Sequence, residues 1–528
     1  MQATLSALYV SLRTSSMTIR TASFVLAGML AAITWMWYFG TSDAGTSNRN
    51  EGRTASSVLE HHNSPRRDGV YVDPTLTKAS AATFHVDPTF KAHVPGAIYA
   101  QLLFIAKGSN GKDLLIAATE ENNVAAFDAA TGKTVWARNL GTPVPLSELP
   151  CGNINPLGIT GTPVIDPVSR TVFVDTMTTS FNKITKKHLI FALSLKDGST
   201  LRGWPVDVSA SVTFGNKAFD SLVQNQRGAL GFVNGTVYVP YGGHYGDCGN
   251  YRGWLVGVPV TSPGAPRAWA TGATGGGSWA PSGVASESDS IFIATGNTFR
   301  AMNWAGGEAL LRFSAGPIFS GKTTDYFTPS NWRSLDLEDV DLGGTGPVLL
   351  DVLGAIPSKL LVGLGKDGKI YLVNRNNLGG EGKQVAAVKV AKNRIINAAA
   401  AYTTTRGAYV VFKGNGSNCP PGQAGDLTAV RIIPDAPPRV ETAWCAQQNG
   451  EGSPMVTTTD GHNEAIVWSV GAEGDNRLHG FDGDTGRIVY AGGGPGDMIG
   501  LVRRFHTPIL AGGRIYVAAD GVVKAFVR

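Results

Sequence analysis

The chain has 528 residues and a formal charge of +5, with only 16% charged residues against about 25% in an average soluble domain. Its 67 glycines and 28 prolines point to many turns rather than long helices. Basic residues are scattered apart from Arg66-Arg67 and Arg503-Arg504, which argues against a nucleic-acid partner, since that class leaves a clustered basic face.

Residues 1–20 hold the first two charges, Arg13 and Arg20, and the next charge is Asp43. Between them, over residues 21–40, lies an apolar run ending in Trp35-Met36-Trp37-Tyr38-Phe39. A positive flank before an apolar stretch is an export signal. The run approaches the ~20 residues that span a bilayer, and its aromatic end suits a membrane interface. We therefore expect an uncleaved N-terminal helix as membrane anchor with the remainder exported, the alternative being a cleaved signal peptide starting at Met17. Residues 41–68 are polar and are expected to form a disordered linker.

From residue 69 to 528 one pattern recurs: a short apolar strand, a β-hairpin of alternating apolar residues, a turn and a fourth strand. The hairpins begin at Leu114, Thr171, Thr236, Ser290, Lys359, Ala408, Ala465 and Arg514, on average just under 60 residues apart. Period-two alternation of β-branched and aromatic residues, punctuated by Gly and Asp, defines the strands. A four-stranded unit cannot bury both faces alone, whereas a radial array covers each blade with its neighbours. The expected fold is all-β, an eight-bladed β-propeller of four-stranded antiparallel blades. The eighth unit reaches Arg528 without a fourth strand, so residues 83–90 are expected to supply it and close the ring.

Four cysteines suit an exported protein, and none forms a C-x-x-C pair of the kind that holds zinc. Cys419 lies in a hairpin loop and Cys445 ends the same blade, so these two are expected to pair. That leaves Cys151 and Cys248 as the second disulfide. His188, His244 and His506 are too scattered for a metal cluster, and no G-x-S-x-G or phosphate-binding loop is present.

The turns after several hairpins are sharper. Phe127-Asp128-Ala-Ala-Thr131-Gly132-Lys133-Thr-Val-Trp136 is the clearest, followed by Phe481-Asp482-Gly-Asp-Thr485-Gly486-Arg487-Ile-Val-Tyr490 and the weaker Leu193-Ser194-Leu-Lys-Asp197-Gly198. This A-x-D-x-x-T-G-K-x-x-W pattern resembles the repeat of the pyrroloquinoline quinone (PQQ) propellers, the quinoprotein alcohol dehydrogenase-like superfamily. Residues 149–167 and 223–244 resemble exported bacterial PQQ-like repeat proteins that carry no assigned chemistry.

Hairpin loops and blade-to-blade connections emerge on one face. Sorting polar residues by that rule places Asp247, Trp279, Asn297, Asp339, Asp341 and Lys366 on it. Their order is similar to the cofactor site of the quinoprotein dehydrogenases. The resemblance implies Trp279 as the floor under the quinone, Asn297 and Asp247 as calcium ligands, and Asp341, or less well Asp339, as the catalytic base. It also implies Lys366 as the cation touching the quinone. Calcium takes hard oxygen ligands, and a general base serves alcohol oxidation. Each residue also has an ordinary structural role: a Trp between blades, Asn and K-D-G as turn formers, Asp as a loop cap. The chain lacks the family's adjacent-cysteine disulfide and any C-x-x-C-H haem site for electron exit. The leading expectation is therefore a monomeric, non-catalytic binding or scaffold module whose loop-rich face takes a protein, glycan or small molecule. The alternative is a PQQ- and calcium-dependent dehydrogenase of alcohols or sugars. A third reading, a calcium-dependent hydrolase or lyase, lacks any acid/base pair that compels it.

Overall fold

The computed structural model describes residues 57–528. The expected anchor at 21–40 and the first part of the linker lie outside them. No helix among the described residues is long and apolar enough to cross a membrane.

Eight antiparallel sheets follow one another in chain order and form an eight-bladed propeller. Their first strands are Leu103–Ser109, Val164–Asp166, Gly231–Val233, Ala285–Glu287, Val348–Asp351, Ala400–Thr404, Met455–Thr458 and Ile509–Ala511. Each is followed by a hairpin that starts at, or within two residues of, the expected position. In the third blade the hairpin is Thr236–Gly243 with Trp254–Pro259, in the fourth Ser290–Thr295 with Ala309–Phe313, and in the fifth Lys359–Leu364 with Lys369–Asn374. Blade four gains a fifth strand, Gly380–Glu381, parallel to Tyr326–Thr328. The last blade pairs its final strand, Val522–Val527, with His85–Val86 and with Ala92–His93.

The D-x-x-T-G turns act between blades as well as within them. Asp128 Oδ1 accepts from the Ala130 and Thr131 amides, and Asp482 Oδ1 from those of Asp484 and Thr485. The glycine that follows adopts positive φ, +71° at Gly486 and +72° at Gly198. Its bare Cα receives a tryptophan from the preceding blade: Trp136 over Gly198 and Trp444 over Gly486. Both indoles then donate across the blade boundary, Trp136 Nε1 to Leu195 O at 3.0 Å and Trp444 Nε1 to Gly483 O at 2.8 Å. One short motif thus sets a turn and fastens two blades.

Residues 57–68 correct the expectation of a disordered linker running to residue 68. They thread the central channel and meet the inner edges of the blades in order. Val58 pairs with Phe104 of blade one, and Leu59 O accepts from Ile165 of blade two. Pro65, Arg66, Asp68 and Gly69 accept from Ser286, Leu349, Ala401 and Val456 of blades four to seven. Val70–Val72 then pairs in parallel with Met455–Thr458. Arg67, fully buried, donates to Leu230 O of blade three and Val284 O beside blade four, and pairs with Glu60 at 2.8 Å. The physical reason is that innermost strands leave unpaired N–H and C=O groups facing the channel, where bare edges are costly. A polar segment with free carbonyls satisfies them, so polar composition here serves pairing rather than solvation.

Candidate functional site

Connections and hairpin loops of the blades converge on a cavity of about 290 Å³. Asp247, Trp279, Asn297, Asp339, Asp341 and Lys366 all line it. The six positions singled out in the sequence therefore share one space, although they span nearly 120 residues and three blades.

Asp341 is the best-held group, 2% exposed in the connection from blade four to blade five. Its Oδ1 accepts from the Asn297 amide at 2.7 Å, and its Oδ2 lies against Lys366 Nζ. The approach is close because residue 296 is glycine: a Cβ there would meet Asp341 Oδ1 at 2.2 Å and Trp279 Nε1 at 3.0 Å. Lys366 also bonds Asp339 Oδ1 at 2.8 Å and stands 5.5 Å over the Trp279 ring. Burial acts to lower the Lys366 pKa, but the carboxylates of Asp341 and Asp339 outweigh it and raise it. Asp339 caps the short helix Trp332–Glu338 in the left-handed conformation and is largely open to solvent.

Asp247 sits at the rim in the blade-three hairpin loop, also in the left-handed region at φ 54°. Tyr251 donates to its Oδ1 at 2.6 Å. Partial withdrawal from water raises its pKa, and the negative charge of Asp341 and Asp339 adds to that. The neighbouring Cys248 is disulfide-bonded to Cys151 in the connection between blades one and two, so the loop is tied across two blades. The second disulfide, Cys419–Cys445, lies within blade six, away from the cavity lining. Both pairings agree with those expected.

Three arginines complete the lining: Arg227, Arg394 and Arg504. Arg504 is held by Glu473 at 2.6 Å. Among the described residues, Arg227 and Arg394 have no carboxylate within ion-pair distance. Burial lowers the Arg227 pKa, and its guanidinium stacks 5.6 Å over Phe505. Sequence reasoning does not single out Arg394, the pairing of Arg504 with Glu473, Tyr251 or Glu308. The basic pair Arg503-Arg504 and a glutamate opening an apolar strand in Gly-Gly-Glu308-Ala-Leu-Leu were the available signals.

The donor set suits an anionic, planar ligand: Arg227 and Arg394, neither ion-paired to a carboxylate among the described residues, line the cavity that the Trp279 ring also lines. It also offers hard oxygens at Asp247, Asn297 and Asp341 for a divalent cation. Among the described residues no group of three or more His, Cys, Asp or Glu is close enough to hold a metal. Any calcium would therefore need ligand oxygens to complete its six to eight contacts.

No protein-family model matches this chain. A search of curated proteins also returns no match. Solved structures do match, over most of the chain. The europium-containing methanol dehydrogenase is similar at 15% identity, covering 89% of this chain and 90% of that one, with a TM-score of 0.59. The quinohemoprotein alcohol dehydrogenase of Comamonas testosteroni is similar at 13% identity, 89% and 80% coverage and TM-score 0.59. The quinohemoprotein alcohol dehydrogenase ADHIIG of Pseudomonas putida HK5 follows at 12%, 89% and 75%, with 0.56. The class is thus an eight-bladed propeller with the architecture found in PQQ quinoprotein dehydrogenases. At these identities the likeness is one of fold.

Proposed function

We propose that this propeller binds a planar, multiply carboxylated quinone of the PQQ type together with calcium, and serves as an oxidoreductase of alcohols or sugars. The observation that carries the reading is Arg227, a cation withdrawn from water with no carboxylate at ion-pair distance among the described residues, lining the same cavity as Trp279, Asn297 and Asp247, with the exposed Arg394 as a second cation of that lining. A guanidinium drawn from water without a counter-charge is unfavourable, and a bidentate carboxylate recovers that energy. We place this reading ahead of the non-catalytic binding or scaffold module, whose ligand-binding form stays as the second reading.

In this reading the arginines hold the cofactor's carboxylates, Trp279 supports its plane, and Asp247 and Asn297 supply oxygens to calcium. The bound quinone would supply the two-electron oxidant. Asp341 would take a substrate hydroxyl proton at its carboxylate, with Lys366 balancing its charge. A second reading, ligand capture without turnover, is favoured by one observation: Lys366 occupies both Asp339 and Asp341.

Three further readings accompany it. Closure of the ring by residues 85–93 is supported by their antiparallel pairing with Val522–Val527. Work in an oxidising compartment outside the cytoplasm is supported by the two disulfides. The anchor at 21–40 and a monomeric state belong to the same proposal.

The test is a titration of the full chain with PQQ, with and without calcium, followed by tryptophan quenching and by dye reduction with alcohols and sugars. Saturable, calcium-dependent quenching that weakens at least about tenfold in Arg227→Ala supports the site, as expected for one lost charge-assisted contact. No quenching with protein at about 10 μM sinks it. Quenching without dye reduction favours capture without turnover.

A further inference from the structure

We propose that Glu308 is the positioning residue of this cavity, its buried carboxyl pinning the Asp341–Leu342 turn onto the Thr295–Asn297 turn so that Asp341, Lys366 and Asn297 act as one unit. The proposal rests on the site reading above and extends it to a residue outside the cavity lining.

Glu308 opens the return strand of the blade-four hairpin and is fully buried. Its Oε2 accepts from the Leu342 amide at 2.6 Å, one residue past Asp341. Its own amide donates to Gly296 O at 2.8 Å, one residue before Asn297. Its carbonyl accepts from Thr328 Oγ1 at 2.8 Å. One residue thus ties together both turns that meet at the Asn297–Asp341 hydrogen bond. The backbone is at φ 49°, a region disfavoured for glutamate and sustained only where surrounding bonds over-determine it.

A carboxyl is an expensive choice for satisfying one amide. Its second oxygen, Oε1, has no partner, and such a buried polar atom is unfavourable. Burial first, and the charge of Asp341 second, push its pKa well above the ordinary carboxylate range. That shift favours the neutral carboxyl, the form that reaches Leu342 without a second negative charge beside Asp341. What the position requires is a neutral acceptor of this length. Glutamine meets that requirement. Aspartate, one methylene shorter, does not.

The experiment compares E308Q, E308D and E308A in the full chain by two readouts. In the ligand-free protein, tryptophan emission is measured with Trp279 present and with Trp279→Phe. E308D and E308A should change the Trp279-dependent part, because Lys366 loses its place over that ring, while E308Q restores the wild-type signal. In the second arm, calcium-dependent PQQ affinity should fall about 10–100-fold in E308D and E308A, the usual scale for a residue supporting metal ligands, and recover in E308Q. Wild-type emission and affinity in E308D overturn the proposal. So does an E308Q protein that melts normally yet behaves like E308A. If wild type binds no PQQ, the cofactor reading has failed, and the emission arm still decides the positioning role. If E308A does not fold, the E308D and E308Q pair carries the test.

Discussion

Arg67→Ala is the sharpest probe of the threaded segment. The guanidinium donates to Val284 O at 2.8 Å, Leu230 O at 2.9 Å and His61 O at 2.8 Å, and pairs with Glu60 at 2.8 Å. Truncation leaves three buried carbonyls without that donor and Glu60 without its cation. Breaking a buried ion pair by removing one partner costs about 3–5 kcal/mol. Burial already raises the Glu60 pKa, so that carboxyl takes up a proton readily and the loss stays near the middle, about 4 kcal/mol. Unfolding entropy of roughly 2.1 cal/mol/K per residue gives about 1 kcal/mol/K for residues 57–528, so the melting temperature should drop by about 4 °C. Arg67→Lys should lose more than half as much, since an ammonium cannot reproduce the fork. Arg66→Ala is the control: Arg66 pairs at the surface with Asp351 and should move the midpoint by less than about 1 °C. Calorimetry of the three variants decides the matter. An Arg67→Ala midpoint within error of Arg66→Ala would refute the claim that residues 57–68 are a structural part of the propeller. The same logic places any working truncation before Ser57, and a protein starting at residue 69 should melt lower than Arg67→Ala.

Other outcomes follow from the same contacts. Glu120 is buried and its pKa is pushed up to about 7, so the folded state keeps a proton that the unfolded state releases from about pH 4.5 upward. That group's contribution falls as pH rises across this window, and Glu120→Gln should gain about 3 kcal/mol on wild type between pH 4.5 and 7.5, measured by denaturant melts at both pH values. An unchanged difference between the two variants at both pH values rejects it. His62 and His506 act in the opposite sense: burial lowers their pKa values to about 4 and about 3, so stability should drop as pH falls below about 6.5. Gly486→Ala places a Cβ 2.7 Å from the Trp444 ring at positive φ, and should cost about 2–3 kcal/mol in urea melts. Removing either disulfide should lower stability by about 2–5 kcal/mol, but only loss of Cys151–Cys248 should also weaken calcium-dependent PQQ binding, because only that bridge ties the Asp247 loop. Equal affinity in the two double-serine variants counts against Asp247 as a ligand.

Much of this molecule follows from the sequence by itself, wherever the deciding physics is local. Strand alternation has a period of two residues, and the D-x-x-T-G turn is complete within five, so eight hairpins and their order can be read without coordinates. The face each loop occupies follows from strand parity, which is why Asp247, Trp279, Asn297, Asp339, Asp341 and Lys366 could be gathered in advance, and both disulfides paired. Contacts across the ring depend on something else. Residues 57–68 look like solvated linker until the inner strand edges that their carbonyls satisfy are in place, 46 to 333 residues further along the chain. Arg394 is one arginine among many until the ring brings it to the same cavity as Arg227. Glu308 is an odd carboxylate at a strand start until Gly296 and Leu342 meet it from either side. Each of these assignments depends on which unpaired donor or charge lies opposite, and only closing the propeller decides that.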